Sequence, residues 1–127
     1  MKMLLAVAAG GALGAMARYG VYLLGARLWG HGFPWSTLVV NVAGSFVLAV
    51  LIELMALRWS PSQEVRALLV VGVLGAFTTF STFSLDVATL AQRQAWTPAA
   101  LYIAGSVALS VGAFVLGLRL ARMALVG

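Results

Sequence analysis

Four long apolar stretches constrain this 127-residue chain more than any other feature. A helix needs about 20 mostly apolar residues to cross a membrane, because each residue advances about 1.5 Å through a hydrocarbon core about 30 Å thick. Four segments meet this requirement, and they are residues 3–24, 38–57, 67–90 and 98–118. We therefore predict an all-α membrane protein whose chain, residues 1–127, forms a single four-helix transmembrane domain.

Proline and tryptophan mark the boundaries of these predicted spans. The three prolines lie in or beside the predicted loops, where a missing backbone N–H does least harm: Pro34, Pro61 and Pro98. The four tryptophans lie there too: Trp29, Trp35, Trp59 and Trp96. Tryptophan favours the level of the lipid headgroups, so both residue types agree with the predicted loops.

Charge is scarce, and this excludes several classes of protein. Only 9% of the residues are charged, against about 25% in a soluble domain. A separate catalytic domain is therefore excluded, and we do not expect an enzyme. The net charge of +5 includes no basic cluster that could neutralise a run of phosphates, so no nucleic-acid partner is expected. Cysteine is absent, which excludes disulfides and thiolate metal sites.

The positive residues are divided between the two ends of the predicted bundle. One end carries five of them: Lys2, Arg58, Arg66, Arg119 and Arg122. The other end carries three if Arg18 snorkels outward: Arg18, Arg27 and Arg93. The side with more Lys and Arg normally stays in the cytoplasm, but five against three is a weak bias. Two topologies stay open, namely both termini in the cytoplasm or copies inserted both ways and paired antiparallel.

Polar residues recur on one face of the second and fourth predicted spans. Thr37 and Asn41 are four residues apart in the second span, while Tyr102, Ser106 and Ser110 repeat every four residues in the fourth. Polar groups in hydrocarbon are costly, and they face a bundle interior or an aqueous path. Hydrogen bonds between helices would explain each set alone. Several coordinated sets in so small a chain favour a path for a solute.

The third predicted span contains a run of hydroxyl residues, 78–84, near its middle. Hydroxyl side chains compete for backbone hydrogen bonds, and Gly72 and Gly75 lie just upstream. Such a sequence permits a break in the helix, where freed carbonyls could ligate a cation. A continuous helix with one polar face explains the pattern equally well, so the residues alone leave both structures open.

Phe80 and Phe83 lie within this run, three residues apart, with Ser81 and Thr82 between them. Ordinary packing against lipid or core would explain the two rings. Alternatively, the positive edge of each ring could face an anion. A site built from ring edges, hydroxyls and an amide, without Lys or Arg, would bind a small anion weakly enough to release it.

Small residues form a line on the first predicted helix, at Ala6, Gly10 and Gly14. This spacing lets two helix backbones approach closely. Arg18 continues the line one turn further. Its side chain could snorkel to the headgroups, or it could place a charge at a vestibule mouth or a subunit contact.

Titratable residues are nearly absent from the spans. The first span has no carboxylate, His31 lies in a loop, and Glu53 and Asp86 lie toward the ends of their spans. For Glu53 we expect ordinary placement at a helix end. An ion-coupled transporter needs a titratable relay in the membrane, so these spans favour passive transport.

Three motifs together resemble the Fluc/CrcB fluoride-channel family. They are Gly10-Gly11-xx-Gly14-xxx-Arg18-Tyr19, Thr37-Leu38-xx-Asn41-xx-Gly44-Ser45-Phe46, and Gly75-xx-Thr78-Thr79-Phe80-Ser81-Thr82-Phe83-Ser84. The third motif is specific, whereas the glycine line alone would not be. With the stripe in the fourth span, the resemblance covers nearly the whole chain.

The resemblance implies an antiparallel, dual-topology homodimer of four-helix subunits in a prokaryotic inner membrane, with the third helix broken near its middle. It implies that fluoride leaves the cytoplasm passively through two pores. By this resemblance Phe80 and Phe83 would line each pore, and Asn41 would donate its amide to the ion or the rings. The remaining pore residues would be Thr37 at the vestibule, Ser81 and Thr82 beside the rings, and the hydroxyl track of Tyr102, Ser106 and Ser110.

The resemblance also implies a structural sodium ion at the dimer interface, held by backbone carbonyls that match Gly75 and Thr78 here. Two positions depart from the family pattern. Asp86 stands where a glutamate is expected, and Ala76 stands where many relatives have a second glycine.

Two other functions compete with this one. A proton-coupled exporter of the small multidrug-resistance type is similar in size, but it depends on a glutamate in the first helix, and this chain has none there. A structural subunit of a larger complex would not need the polar stripes.

Overall fold

The computed structural model describes residues 1–127, and every regular element in it is helical. In chain order the elements are α1 (Lys2–Trp29), α2 (Trp35–Leu57), α3 (Gln63–Arg66), a π-helix (Ala67–Leu74), α4 (Gly75–Phe77), α5 (Ser81–Gln92) and α6 (Trp96–Val126). Four stretches are long and apolar enough to cross a membrane: Lys2–Trp29, Trp35–Leu57, Gln63–Gln92 and Trp96–Val126. The prediction of an all-α protein with four such spans is confirmed.

Large apolar side chains cover the outside of these helices. Only 19 of the 127 residues are buried, while Leu4, Leu101 and Leu109 are each more than half exposed. A helix that is apolar on all sides has no solvated face, so its outer side chains need lipid or another subunit around them. Residues at the helix ends agree with these boundaries. Gly30 follows the last residue of α1 with a φ of 71°, and Pro98 lies in the first turn of α6.

Helix α1 packs along the π-helix at backbone distance. A Cβ atom on Gly10 would collide with the carbonyl of Leu68, and one on Gly14 would lie 2.9 Å from the carbonyl carbon of Val73. Gly72 meets Gly10 from the other side, with only 2.8 Å between a Cβ built on Gly72 and the Gly10 Cα atom. The predicted close approach along the small-residue line is therefore confirmed for Gly10 and Gly14.

Helices α2 and α6 form the most extensive helix pair, and they run in parallel. Gly117 of α6 makes this possible, because a Cβ atom there would lie 2.9 Å from both the Ala49 Cβ and the Phe46 carbonyl oxygen. The third span connects α1 to the α2–α6 pair. Its first part contacts α1, whereas α5 contacts α6 and α2 but not α1.

The third span contacts α1 before residues 78–80 and α6 and α2 after them, and these three residues lie outside the helices. Thr78 is extended, with φ −83° and ψ 157°, and α5 begins at Ser81. Gly44 of α2 provides the space for this segment, because a Cβ atom there would collide with the Thr78 methyl group and lie 3.2 Å from the Phe77 ring. The segment 78–80 thereby lies beside α2, with Thr78 and Thr79 half-buried and Phe80 exposed.

Candidate functional site

Asn41 of α2 holds the non-helical segment through two hydrogen bonds to Thr79. Its Nδ2 donates to the Thr79 carbonyl oxygen at 3.0 Å, and its Oδ1 accepts from the Thr79 amide nitrogen at 2.8 Å. Backbone groups inside a membrane need such partners once the helical pattern stops. A carboxamide has two N–H donors, so one donor of Asn41 is left for another acceptor.

The threonine hydroxyls complete the local hydrogen bonding. Thr78 Oγ1 donates to the Leu74 carbonyl oxygen at 3.0 Å, which adds a second bond at the end of the helix. Thr79 Oγ1 accepts from the Thr82 amide at 3.2 Å, as an N-cap residue does at the start of a helix. It also shares a hydrogen bond with Ser81 Oγ at 3.2 Å. These contacts explain why hydroxyl residues cluster where α4 ends and α5 begins.

Two carbonyl oxygens in this region are left as free acceptors. The Thr78 amide donates to Leu74 and the Thr79 amide donates to Asn41, so neither reaches the carbonyl of Gly75. The Thr78 carbonyl oxygen accepts no backbone or side-chain hydrogen bond. Free carbonyl oxygens of an unwound helix are ligands that suit a hard cation such as sodium.

Arg18 of α1 approaches the same region from the opposite side. Its Nε donates to the Ala76 carbonyl oxygen at 3.0 Å. Ala76 lies next to the end of α4, where carbonyl groups carry partial negative charge, so a guanidinium there is stabilising. This contact with the third span of the same chain differs from the expected snorkelling to the headgroups. Arg18 also lines neither of the two cavities described next.

A groove of about 280 Å³ runs along the non-helical segment. The second, third and fourth spans line it together, with Asn41, Ser45, Thr78, Thr79, Phe80, Phe83, Ser106, Val107, Ser110 and Val111. The hydroxyl oxygens of Ser106 and Ser110 are buried and have no hydrogen-bond partner. A buried hydroxyl without a partner is costly, which makes these two side chains ready to bind a ligand in the groove.

The two phenylalanine rings lie side by side in this groove. Their centroids are 5.3 Å apart and the ring planes are inclined by 40°. Phe83 is buried and contacts the Tyr102 ring at 5.1 Å, whereas Phe80 is 75% exposed on the single chain. Phe83 is thus packed in the core of the subunit, whereas the Phe80 ring is exposed on the surface of the single chain, where lipid or another subunit would contact it.

A second cavity, of about 420 Å³, lies between the α1–α2 loop and α5; we call it the loop-side cavity. Of the predicted site residues, Thr37 and Thr82 line it, and Asp86 and Arg93 bring charges to it. The Thr37 hydroxyl shares a hydrogen bond of 3.1 Å with the Tyr22 hydroxyl. Thr37 therefore lies near one end of the bundle, separate from the groove.

The predicted hydroxyl stripe on α6 is divided between two environments. Ser106 and Ser110 line the groove. Tyr102 is buried, lines neither cavity, and donates its hydroxyl to Asp86 Oδ2 at 2.9 Å. The regular spacing placed the three residues on one helix face but did not indicate that one hydroxyl has a protein partner and two have none.

Residues that the sequence interpretation passed over also belong to the site. Ser45 and Thr79 line the groove, and the interval of four from Asn41 to Ser45 was a usable signal for the first of them. Glu53 lies in the last turns of α2, as expected, but it is also buried and forms an ion pair with Arg122, which the sequence did not indicate. No group of three or more His, Cys, Asp or Glu residues forms a metal site.

The sequence is similar over almost its full length to those of known proteins. The sequence profile of the family described as CrcB-like protein, Camphor Resistance (CrcB), matches residues 5–118. A protein of Rhodospirillum centenum named fluoride-specific ion channel FluC is 58% identical over 127 residues, covering 98% of each chain. Proteins of the same name from Nitrobacter winogradskyi and Agrobacterium fabrum are each 50% identical, over 94% and 91% of this chain and 95% and 93% of theirs.

These matches span almost the full length of this chain and of its relatives, and the matched range 5–118 contains the positions of the three motifs and of the groove. Together with the four apolar helices they identify a multi-pass protein of the bacterial inner membrane. The chain belongs to the CrcB-like protein family.

Proposed function

We propose that this chain forms a channel through which fluoride leaves the cytoplasm passively. The observation that carries the proposal is the lining of the groove, which offers hydroxyls, a carboxamide and two phenylalanine rings but no charged side chain. The name shared by relatives that are 50–58% identical supports fluoride as the ion.

The chemistry of the groove suits a small, strongly hydrated anion. Such an ion enters only where protein donors replace its water, and the unpartnered hydroxyls of Ser106 and Ser110 are such donors. The second N–H of Asn41 is a third donor, and the ring edges of Phe80 and Phe83 add partial positive charge. Because no Lys or Arg lines the groove, the ion is bound weakly enough to leave.

The conducting unit is an antiparallel homodimer with two pores, each completed by the second copy. The 75% exposure of Phe80 on a single chain supports this arrangement, because a ring that lines a pore needs a wall opposite it. Positive residues lie at both ends, five at one end and Arg27 and Arg93 at the other, while Arg18 contacts Ala76 within the bundle. This modest bias is compatible with insertion in both orientations.

Insertion in both orientations has its own test, since the chain contains no cysteine. A single cysteine added after Gly127 and labelled from outside intact cells should react in about half the copies, because each dimer would expose one C-terminus on each side. Labelling of all copies, or of none, would contradict dual topology.

The break at residues 78–80 and the sodium ion belong to the same proposal. The carbonyl oxygens of Gly75 and Thr78 would hold the ion, and both fit it, because they accept no hydrogen bond from the neighbouring amides. Sodium, when bound, supplies a fixed positive charge that holds the interrupted third spans of the two subunits together. Arg18 and Asn41 keep the chain on either side of these oxygens in place.

A proton-coupled exporter of the small multidrug-resistance type is the less favoured alternative. Helix α1 has no carboxylate, and no titratable side chain lines the groove. A purely structural subunit is disfavoured too, because two hydroxyls are buried without partners in an open groove.

Ion efflux from liposomes that contain the purified protein tests the proposal. We expect rapid fluoride efflux, chloride efflux close to that of protein-free liposomes, and no change when a protonophore collapses the proton gradient. Equal chloride and fluoride rates, or fluoride efflux that stops without a proton gradient, would refute the passive fluoride channel.

A further inference from the structure

We infer that Glu53 and Arg122, far from the groove, are positioning residues that set the register of α6 against α2. Glu53 Oε1 accepts from Arg122 Nη2 at 2.8 Å. Glu53 is only 6% exposed and its Oε2 has no partner, so Arg122 is the single group that compensates this buried carboxylate. The effect of this pair on ion flow rests on the proposed function.

A second contact holds the same ends of the two helices. Arg58, which follows α2, donates from Nε at 3.1 Å and also from Nη2 to the carbonyl oxygen of Leu125 in the last turn of α6. That carbonyl lies at a helix C-terminus, where a cation is favourable. We call the Glu53–Arg122 pair and the Arg58–Leu125 bonds the end contact. Axial sliding of α6 along α2 would break both parts of it.

The offset in residue number between α2 and α6 is the same at the end contact and at the groove. Twelve residues separate Asn41 from Glu53, and twelve separate Ser110 from Arg122. Because α2 and α6 are parallel and each residue of a helix advances about 1.5 Å, equal separations keep the two pairs of residues at matching axial levels about 18 Å apart. The close approach of Gly117 to Ala49, between these two levels, has nearly the same offset.

This register decides which donors share the groove. Asn41 and Ser45 belong to α2, and Ser106 and Ser110 belong to α6. A slip of one residue would move the serine hydroxyls by about 1.5 Å along the groove and turn them by about 100° around the helix axis. Elsewhere on this helix pair Gly117 packs against Ala49 and the Phe46 ring, and such apolar contacts have no preferred direction. The ion pair therefore adds a directional contact to this packing.

The test measures the helix register and the ion flux separately. Nitroxide labels are placed at Val47→Cys on α2 and Leu116→Cys on α6, two positions that are about half exposed. Labelled protein is diluted with unlabelled protein so that only distances within one subunit are measured by pulsed electron paramagnetic resonance. Arg122→Gln and Glu53→Gln should shift or broaden the distance distribution by about 1.5 Å or more, the rise of one residue. The control Arg119→Gln, an exposed arginine with no ion-pair partner, should leave the distribution unchanged.

The flux measurement tests whether a change in the register of α6 alters the contribution of Ser110 to fluoride efflux. Ser110→Ala should slow fluoride efflux about tenfold in the parent protein, but less than threefold in the Arg122→Gln background, where the serine is already displaced. The charge exchange Glu53→Arg with Arg122→Glu should restore both the distance and the full effect of Ser110→Ala. A merely structural role would leave the effect of Ser110→Ala equal in both backgrounds, and that result would overturn the inference.

Unchanged distances in Arg122→Gln and Glu53→Gln would also overturn the inference, whatever the flux. If the parent protein carries no fluoride, the proposed function fails, while the distance measurement still decides whether the pair sets the register.

Discussion

The Asn41 side chain replaces a missing turn of helix for Thr79, because it donates to the carbonyl oxygen of that residue and accepts from its amide nitrogen. One side chain of α2 therefore satisfies both backbone groups of a residue on the third span. The same two bonds prevent the Thr79 amide from reaching Gly75, whose carbonyl is left free. In this way Asn41 connects the groove to the proposed cation site.

Replacement of Asn41 is the most direct test of this connection. Asn41→Ala leaves the Thr79 N–H and C=O without partners, which costs about 1–3 kcal/mol for each group. Asn41→Asp keeps the acceptor for the N–H but sets a carboxylate against the carbonyl oxygen. We expect both variants to lose most fluoride efflux and to unfold at lower temperature. Thr89→Ala, which removes a hydroxyl bonded only within its own helix, is the control. Normal efflux by Asn41→Ala would contradict the assigned role.

The two phenylalanine rings should differ in what their loss does. Phe80→Ile removes an exposed ring and should reduce fluoride efflux by at least about tenfold, or about 1.4 kcal/mol, with little loss of stability. Phe83→Ile removes a buried ring that contacts Tyr102, so it should reduce both efflux and thermal stability. Efflux assays and thermal unfolding of the purified variants distinguish these outcomes. Unchanged efflux in both variants would show that the two rings serve only in packing.

The serine hydroxyls on α6 should contribute to conduction but not to folding. Ser106→Ala and Ser110→Ala each remove a buried hydroxyl that has no partner, so the free energy of unfolding should stay the same or rise by up to about 1 kcal/mol. Fluoride efflux should fall in both, because donors to the ion are lost. Ser84→Ala provides the comparison, because this hydroxyl already has a partner in the Phe80 carbonyl oxygen, just before α5. A clear loss of stability without loss of efflux would contradict this assignment.

Helix α1 should tolerate no side chain where it meets the π-helix. Gly10→Val and Gly14→Val place methyl groups against the carbonyls of Leu68 and Val73, so each should destabilise the fold by about 1–3 kcal/mol or more. Gly11→Val is the matched control, because nothing lies within 4 Å of a Cβ atom at Gly11. Size-exclusion chromatography and thermal unfolding provide the measurement. Equal stability of Gly11→Val and Gly14→Val would show that the two helices separate easily.

Removal of sodium tests the proposed role of the free carbonyls. Protein purified and reconstituted with N-methylglucamine as the only cation should lose fluoride efflux and dissociate into single chains, because two sets of free carbonyls would then face each other without a cation. Sodium returned during purification should restore both properties. Equal efflux and an intact dimer in N-methylglucamine would contradict a structural sodium ion at Gly75 and Thr78.

The sequence alone was enough to predict the membrane class, the four spans and the polar residues of the third span. Apolar length and boundary residues report directly on the membrane, since hydrocarbon tolerates few other sequences. The spacing of Ser106 and Ser110 also placed this pair on one side of a helix. These features depend on periodicity within a single helix, which a sequence records.

Contacts between helices were decided only by the tertiary structure. Tyr102 and Ser106 lie on the same stripe, yet Tyr102 donates to Asp86 while Ser106 has no partner and lines the groove. The sequence predicted only that Glu53 lies near a helix end, whereas the parallel packing of α6 buries it beside Arg122. Periodicity specifies which residues share a face, whereas the partner of that face depends on how close two backbones come and in which register. For this chain, glycines at the helix contacts determine how close the backbones come, and we infer that the ion pair between buried Glu53 and exposed Arg122 sets the register of α6 against α2.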